Sequence, residues 1–121
     1  MNKVVTPAQI EKRLYDLSKE IDDAQSYSES VEKSYFEVKA AYEIALAKTR
    51  MKYASVSSPT GKNYTVQERE DLALIENEDL HFQMASIDAT VRSVRQNISR
   101  IKTQVDIARS IGTSVRTAME L

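Results

Sequence analysis

From Leu80 to Met119, residues recur at alternating spacings of four and three: Leu80, Met84, Ile87, Val91, Val94, Ile98, Ile101, Val105, Ala108, Gly112, Val115 and Met119. A heptad series of this length puts all its members on one narrow stripe of a helix, and such a stripe is stable in water only against another helix. The stretch therefore predicts a long helix and demands a partner. Upstream, Ile10, Leu14, Leu17, Ile21, Ala24, Ser28, Val31, Tyr35, Val38, Tyr42, Ala45 and Thr49 repeat the same alternation and supply it. The series weakens at Ser26-Tyr27-Ser28-Glu29-Ser30, where serines crowd in and a polar residue occupies the seam. A kink or break there, with helix one folding back over its own outer face, is the alternative to one continuous helix.

Local signals bound the two helices. Thr6, Pro7 and Gln9 read as an N-cap, a first helical residue and the far half of a capping box, with Val5 placed to staple onto Ile10. Residues 55–64 (SVSSPTGKNY) are the only loop-like composition, and Thr65 with Glu68 forms a second capping box. The expected fold is all-α, a single helical-hairpin domain over 1–121. Helix one would run over about 7–54, the loop over about 55–64 and helix two over about 66–118.

Charge favours an antiparallel hairpin. Residues 1–38 hold five basic and eight acidic side chains, 39–62 five and one, 63–91 one and seven, and 92–121 six and two. Folding at the loop sets each basic block beside an acidic one, whereas a parallel pairing would set like on like.

The hairpin carries more apolar surface than one seam uses. Phe36, Ala40, Ile44, Ala47 and Met51 form a second stripe opposite the seam of helix one, and Ile75, Phe82, Ala85 and Ala89 do so on helix two. Contiguous exposed apolar surface usually marks association, so this antiparallel coiled coil is expected to assemble into a helical homo-oligomer. Two helices also enclose little core for 121 residues, so stability should depend on concentration.

Composition narrows the function. The chain has no cysteine and one histidine, His81, which excludes disulfides, thiol chemistry and Cys/His zinc sites. The stretch Met1 to Thr6 lacks the apolar core of a signal peptide, and no run approaches the roughly 20 apolar residues of a membrane span. A cytoplasmic protein is expected. His81 beside Glu78 and Asp79 has no second His and reads as a surface side chain. Asp22-Asp23 and Glu70-Asp71 are adjacent pairs that splay around a helix, and Gly112 reads as a kink or close-packing point. With no phosphate loop and no nucleophile–base pair, neither an enzyme nor a cofactor is expected.

The end of helix one and its loop interleave cations with aromatic rings: Lys48, Arg50, Lys52, Tyr53, Lys62, Asn63 and Tyr64. Cations neutralise phosphates and rings stack on unpaired bases, which is what single-strand binding requires. The competing reading pairs the same cations with Glu68, Glu70, Asp71 and Glu76 across the hairpin. The string Lys48-x-Arg50-x-x-Tyr53-x-Ser55 ends a long helix. A Gly-containing polar loop follows, then a second long helix with Ser110-x-Gly112 near its end. In these features the chain resembles the phage recombination mediators of the UvsY type, although Val56 stands where that family tends to have glycine.

The resemblance implies a host-cytoplasmic protein that binds single-stranded DNA through Lys48, Arg50 and Tyr53. It also implies a ring built through the 92–121 helix, and loading of a RecA-like recombinase onto DNA covered by single-strand-binding protein. The self-assembly surface would then comprise Phe36, Ile44, Met51, Ile75 and Phe82 together with Ile111, Val115 and Met119. The alternative is a coiled-coil adaptor or chaperone of prefoldin-like shape that binds only protein.

Overall fold

The computed structural model describes residues 5–120; residues 1–4, within the Met1 to Thr6 start, and residue 121 lie outside the described part. The protein is all-α, with α1 spanning Pro7–Ala54, α2 Val66–Glu76 and α3 Glu78–Glu120. Among the described residues there is no strand, and the one β-type contact is an isolated bridge between Ser57 and Asn63. No helix in this part is long and apolar enough to cross a membrane.

Both capping boxes form. Gln9 N–H donates to Thr6 Oγ1 (3.3 Å) and Thr6 N–H to Gln9 Oε1 (3.0 Å). Glu68 N–H donates to Thr65 Oγ1 and Thr65 N–H to Glu68 Oε1, each at 3.1 Å. These bonds satisfy amides that the first helical turn leaves without partners. Residues 26–30 are helical, so the serine cluster does not end α1. All twelve seam positions of α1 are buried or half-buried, and so are those from Leu80 to Val115; only Met119 is exposed.

Contacts divide the chain into two compact units, one from the residues up to Ser30 and from Arg92 onward, the other Val31–Val91. In the first, Leu17, Ile101 and Ala108 form the core, with Leu14, Ile21, Ala24 and Val105 packed against it. The segments run antiparallel. Ile10 lies against Gly112, while Glu20 and Ala24 share a surface hollow with Asn97, Arg100 and Ile101. A Cβ added at Gly112 would stand 3.2 Å from Ile10 Cγ2, so glycine here serves close packing inside a continuous helix.

In the second unit, Tyr42, Thr49, Ala73 and Val91 are buried. Thr49 faces Asn77 and Tyr42 faces His81, so the pairing is again antiparallel. Helix two, expected to run unbroken from about Val66 to 118, is instead divided at Asn77. There the backbone leaves helical geometry at φ −113° and ψ 23°. The Asn77 side-chain amide donates to Ala73 O (2.8 Å) and to Thr49 Oγ1 (2.9 Å), and Thr49 Oγ1 donates to Ala45 O (2.9 Å). Asparagine competes with the helix for its own carbonyls. A polar partner on the facing helix here lets that competition end α2.

The connection between α1 and α2 holds a tight turn. Gly61 N–H donates to Ser58 O (2.9 Å) and Ser58 N–H to Lys62 O (2.8 Å), closing Ser58-Pro59-Thr60-Gly61. Proline suits the second turn position, and Gly61 takes φ +82°, which a side chain would strain. Ser58 and Thr60 hydroxyls add a 2.8 Å hydrogen bond across it.

Candidate nucleic-acid interface

α1 keeps its helical geometry to Ala54, and this decides where the candidate cations lie. At about 100° per residue, Lys48 and Lys52 share one flank one turn apart, while Arg50 sits about 200° around the axis from Lys48. The alternation would place its next member at Lys52, which is exposed; Tyr53, one turn beyond Thr49, is half-buried instead, with its ring against Tyr64 and its hydroxyl at α2.

Tyr53 and Lys52 converge on Glu76, the last residue of α2. The Tyr53 hydroxyl donates to Glu76 Oε1, and Lys52 Nζ stands 3.4 Å from the same oxygen. Tyr64 packs edge-on against Tyr53, with ring centroids 5.1 Å apart and planes at 74°. Lys52 Nζ also lies 5.0 Å from the Tyr53 ring centre. Lys52 and Tyr53, placed by sequence among nucleic-acid contacts, are thus committed within the fold. Of the cations, Lys52 is paired across to α2, with Glu76. Glu68 is occupied by its capping box, and Asp71 accepts from Gln67 Nε2 at 2.9 Å.

Lys48, Arg50 and Lys62 behave differently. All three are exposed, and none of their side chains makes a hydrogen bond or ion pair with another described residue. Tyr64 is half-buried against Tyr53, and Asn63 is held in the bridge to Ser57. The structure therefore brings Lys52, Tyr53 and Tyr64 together and leaves Lys48, Arg50 and Lys62 open to solvent, Lys48 and Arg50 on different flanks of α1.

The Glu76 cluster has a defined pH response. The hydrogen bond from Tyr53, followed by the Lys52 charge, holds the Glu76 carboxyl below the usual carboxylate range. The Glu76 charge raises Lys52, and the hydrogen bond to Glu76 raises Tyr53. A depressed carboxylate contributes stability above its unfolded-state value and loses it as pH falls through the lower folded value. The raised Lys52 and Tyr53 contribute below their ordinary values, near pH 10, and lose this as pH rises through the raised ones. The cluster is therefore fully stabilising through neutral pH. The melting-temperature difference between wild type and Glu76→Gln should be constant near neutrality and shrink below about pH 4. A difference that stays flat through the acid range would exclude this assignment.

Of the side chains assigned to self-assembly, Phe36, Ile44, Met51, Ile75 and Phe82 are 56–73% exposed. Ile111 and Met119 are exposed, while Val115 is half-buried and shares a shallow groove with Val5, Ser110, Ile111, Ser114 and Ala118. His81 is exposed, with its ring 5.6 Å from Tyr42 and 6.0 Å from Phe82. No three His, Cys, Asp or Glu side chains among the described residues are placed to hold a metal. Sequence reading missed the Thr49–Asn77 pair, although two polar residues falling level in an apolar seam are its signal. No protein-family model, curated protein or solved structure matches the chain.

Proposed function

We propose that this protein is a non-catalytic, homo-oligomeric helical scaffold of the recombination-mediator kind. In this reading it is a long antiparallel coiled-coil hairpin that holds single-stranded DNA at Lys48, Arg50 and Lys62. As in the UvsY-type proteins it resembles, it would assist a RecA-like recombinase on DNA covered by single-strand-binding protein, in the host cytoplasm if phage-encoded. One observation carries the reading: Lys48, Arg50 and Lys62 have no side-chain partner among the described residues, whereas neighbouring Lys52 and Tyr53 do. Cations that the fold does not use are free to replace the counterions of a phosphate backbone. Lys48 and Arg50 lie on different flanks of α1, which suits contacts with the phosphate backbone of a strand crossing the helix end. Assembly multiplies such weak contacts along one strand.

The test is a labelled oligonucleotide titrated at several salt concentrations against wild type and the Lys48→Ala/Arg50→Ala/Lys62→Ala variant. Every cation–phosphate pair that the substitutions remove should reduce the slope of log affinity against log salt by about 0.7, at unchanged melting temperature. Equal affinity and slope for the two proteins would end the assignment. If wild type itself fails to bind at low salt, the adaptor reading stands in its place, resting on the exposed apolar faces of residues 31–91.

A further inference from the structure

Within Val31–Val91 the two exposed apolar stripes lie on opposite outer sides. Tyr42 and Thr49 turn toward α2 and α3, and Phe36, Ala40, Ile44, Ala47 and Met51 lie about half a turn around α1 from them. On the facing helices, Val91 is buried and Met84 and Ile87 half-buried, while Phe82, Ala85 and Ala89 are exposed on the far side of α3, and Ile75 is exposed on α2. Neither stripe can cover the other within one copy.

Three properties make the stripes complementary. They cover comparable stretches of chain, Phe36 to Met51 on α1 (about 22 Å at 1.5 Å per residue) and Ile75 to Ala89 on α2 and α3. The segments that bear them are oppositely charged overall: residues 31–54 hold five basic and three acidic side chains, residues 66–91 one basic and seven acidic. Their side-chain sizes also match out of phase at the Phe36 end. The pairing of Tyr42 with His81 and Thr49 with Asn77 sets which residues of α1 and α3 lie level. For a second copy placed alongside at the same level, Phe36 falls beside Ala85 and Ala89 and Ala40 beside Phe82, each large side chain facing a small one, while Met51 and Ile75 fall level at the other end.

We infer that the outer face of α1 in one copy docks on the outer α2–α3 face of a second copy, a heterologous contact repeated from copy to copy. A like-to-like contact through α2–α3 would oppose two strongly acidic surfaces and leave the α1 stripe wet. The heterologous contact covers both stripes in every copy that has two neighbours. This inference rests on the homo-oligomer of the proposed function and is independent of its nucleic-acid contact.

Two variants of the full chain test it by sedimentation velocity at micromolar concentration. Ala40→Glu blocks the α1 face and Phe82→Lys blocks the α2–α3 face; both positions are exposed, and circular dichroism checks that helix content is kept. Wild type should form oligomers. Each variant alone should be a monomer, and an equimolar mixture should form a one-to-one dimer, because each retains the face the other lacks. A variant that dimerises alone, or a mixture that stays monomeric, would overturn the heterologous contact while leaving a wild-type oligomer in place. A monomeric wild type would overturn both this contact and the homo-oligomer on which it rests.

Discussion

Leu17→Ala is expected to lower the unfolding free energy by about 3 kcal/mol, within the 2–5 kcal/mol usual for such truncations. Leu17 is the one large side chain among the described residues that is fully enclosed. It packs on Ile101 and Ala108, with Leu14, Ile21, Ala24 and Val105 around it. Removing its terminal carbons forfeits their transfer from water and leaves a void. Ala108 and Ala24 are too short to fill that void, and the half-buried Leu14 and Ile21 can only partly close over it. Ile111→Ala is the control, since Ile111 is exposed and its truncation should cost below about 1 kcal/mol. Urea unfolding measures both, and repeating it over a range of protein concentrations separates the contribution of self-association from that of packing within one copy. A loss at Leu17 no larger than at Ile111 would mean that the two helical segments do not pack through this row.

A second large effect, of opposite sign, is expected when the polar row at the break becomes apolar. Asn77→Ala alone should destabilise by about 1 kcal/mol, because Thr49 loses its donor and Ala73 O its cap. The pair Thr49→Val with Asn77→Leu should instead stabilise by about 1–2 kcal/mol. It removes both polar groups together and puts a leucine where α2 can continue into α3. Amide hydrogen exchange reports the structural half of the prediction: amides just after residue 77 should become more protected as the helix closes. If the double variant is less stable than wild type, the break is required by packing that the Thr49–Asn77 bonds do not explain. The wild-type row also has a use that stability does not measure. One polar pair in an apolar seam penalises sliding by a heptad, because a slip would bury both groups without partners. The register so held places Ala40 level with Phe82, and the contact inferred between copies depends on it.

The two expectations separate local from long-range causes. Seam membership, both capping boxes and the ends of α1 were legible in the residues, because periodicity, cap chemistry and the Pro59 and Gly61 signals act within a turn or two of chain. The exposed stripes were legible for the same reason: a residue half a turn from the seam of its own helix faces away from the partner whatever the partner is. Only the tertiary structure decided that helix two breaks. Asn77 chooses between continuing its helix and ending it according to what stands across the seam, and Thr49 is a neighbour only once the chain has folded. It also decided the division of the basic corner. Lys48, Arg50, Lys52 and Lys62 are chemically alike in sequence, but only Lys52 reaches a carboxylate, because the end of α2 carries Glu76 to the flank where Lys52 and Tyr53 already lie. Side-chain pairing between helices is set by which rows fall level and which way each side chain turns, and neither is a property of one stretch of sequence.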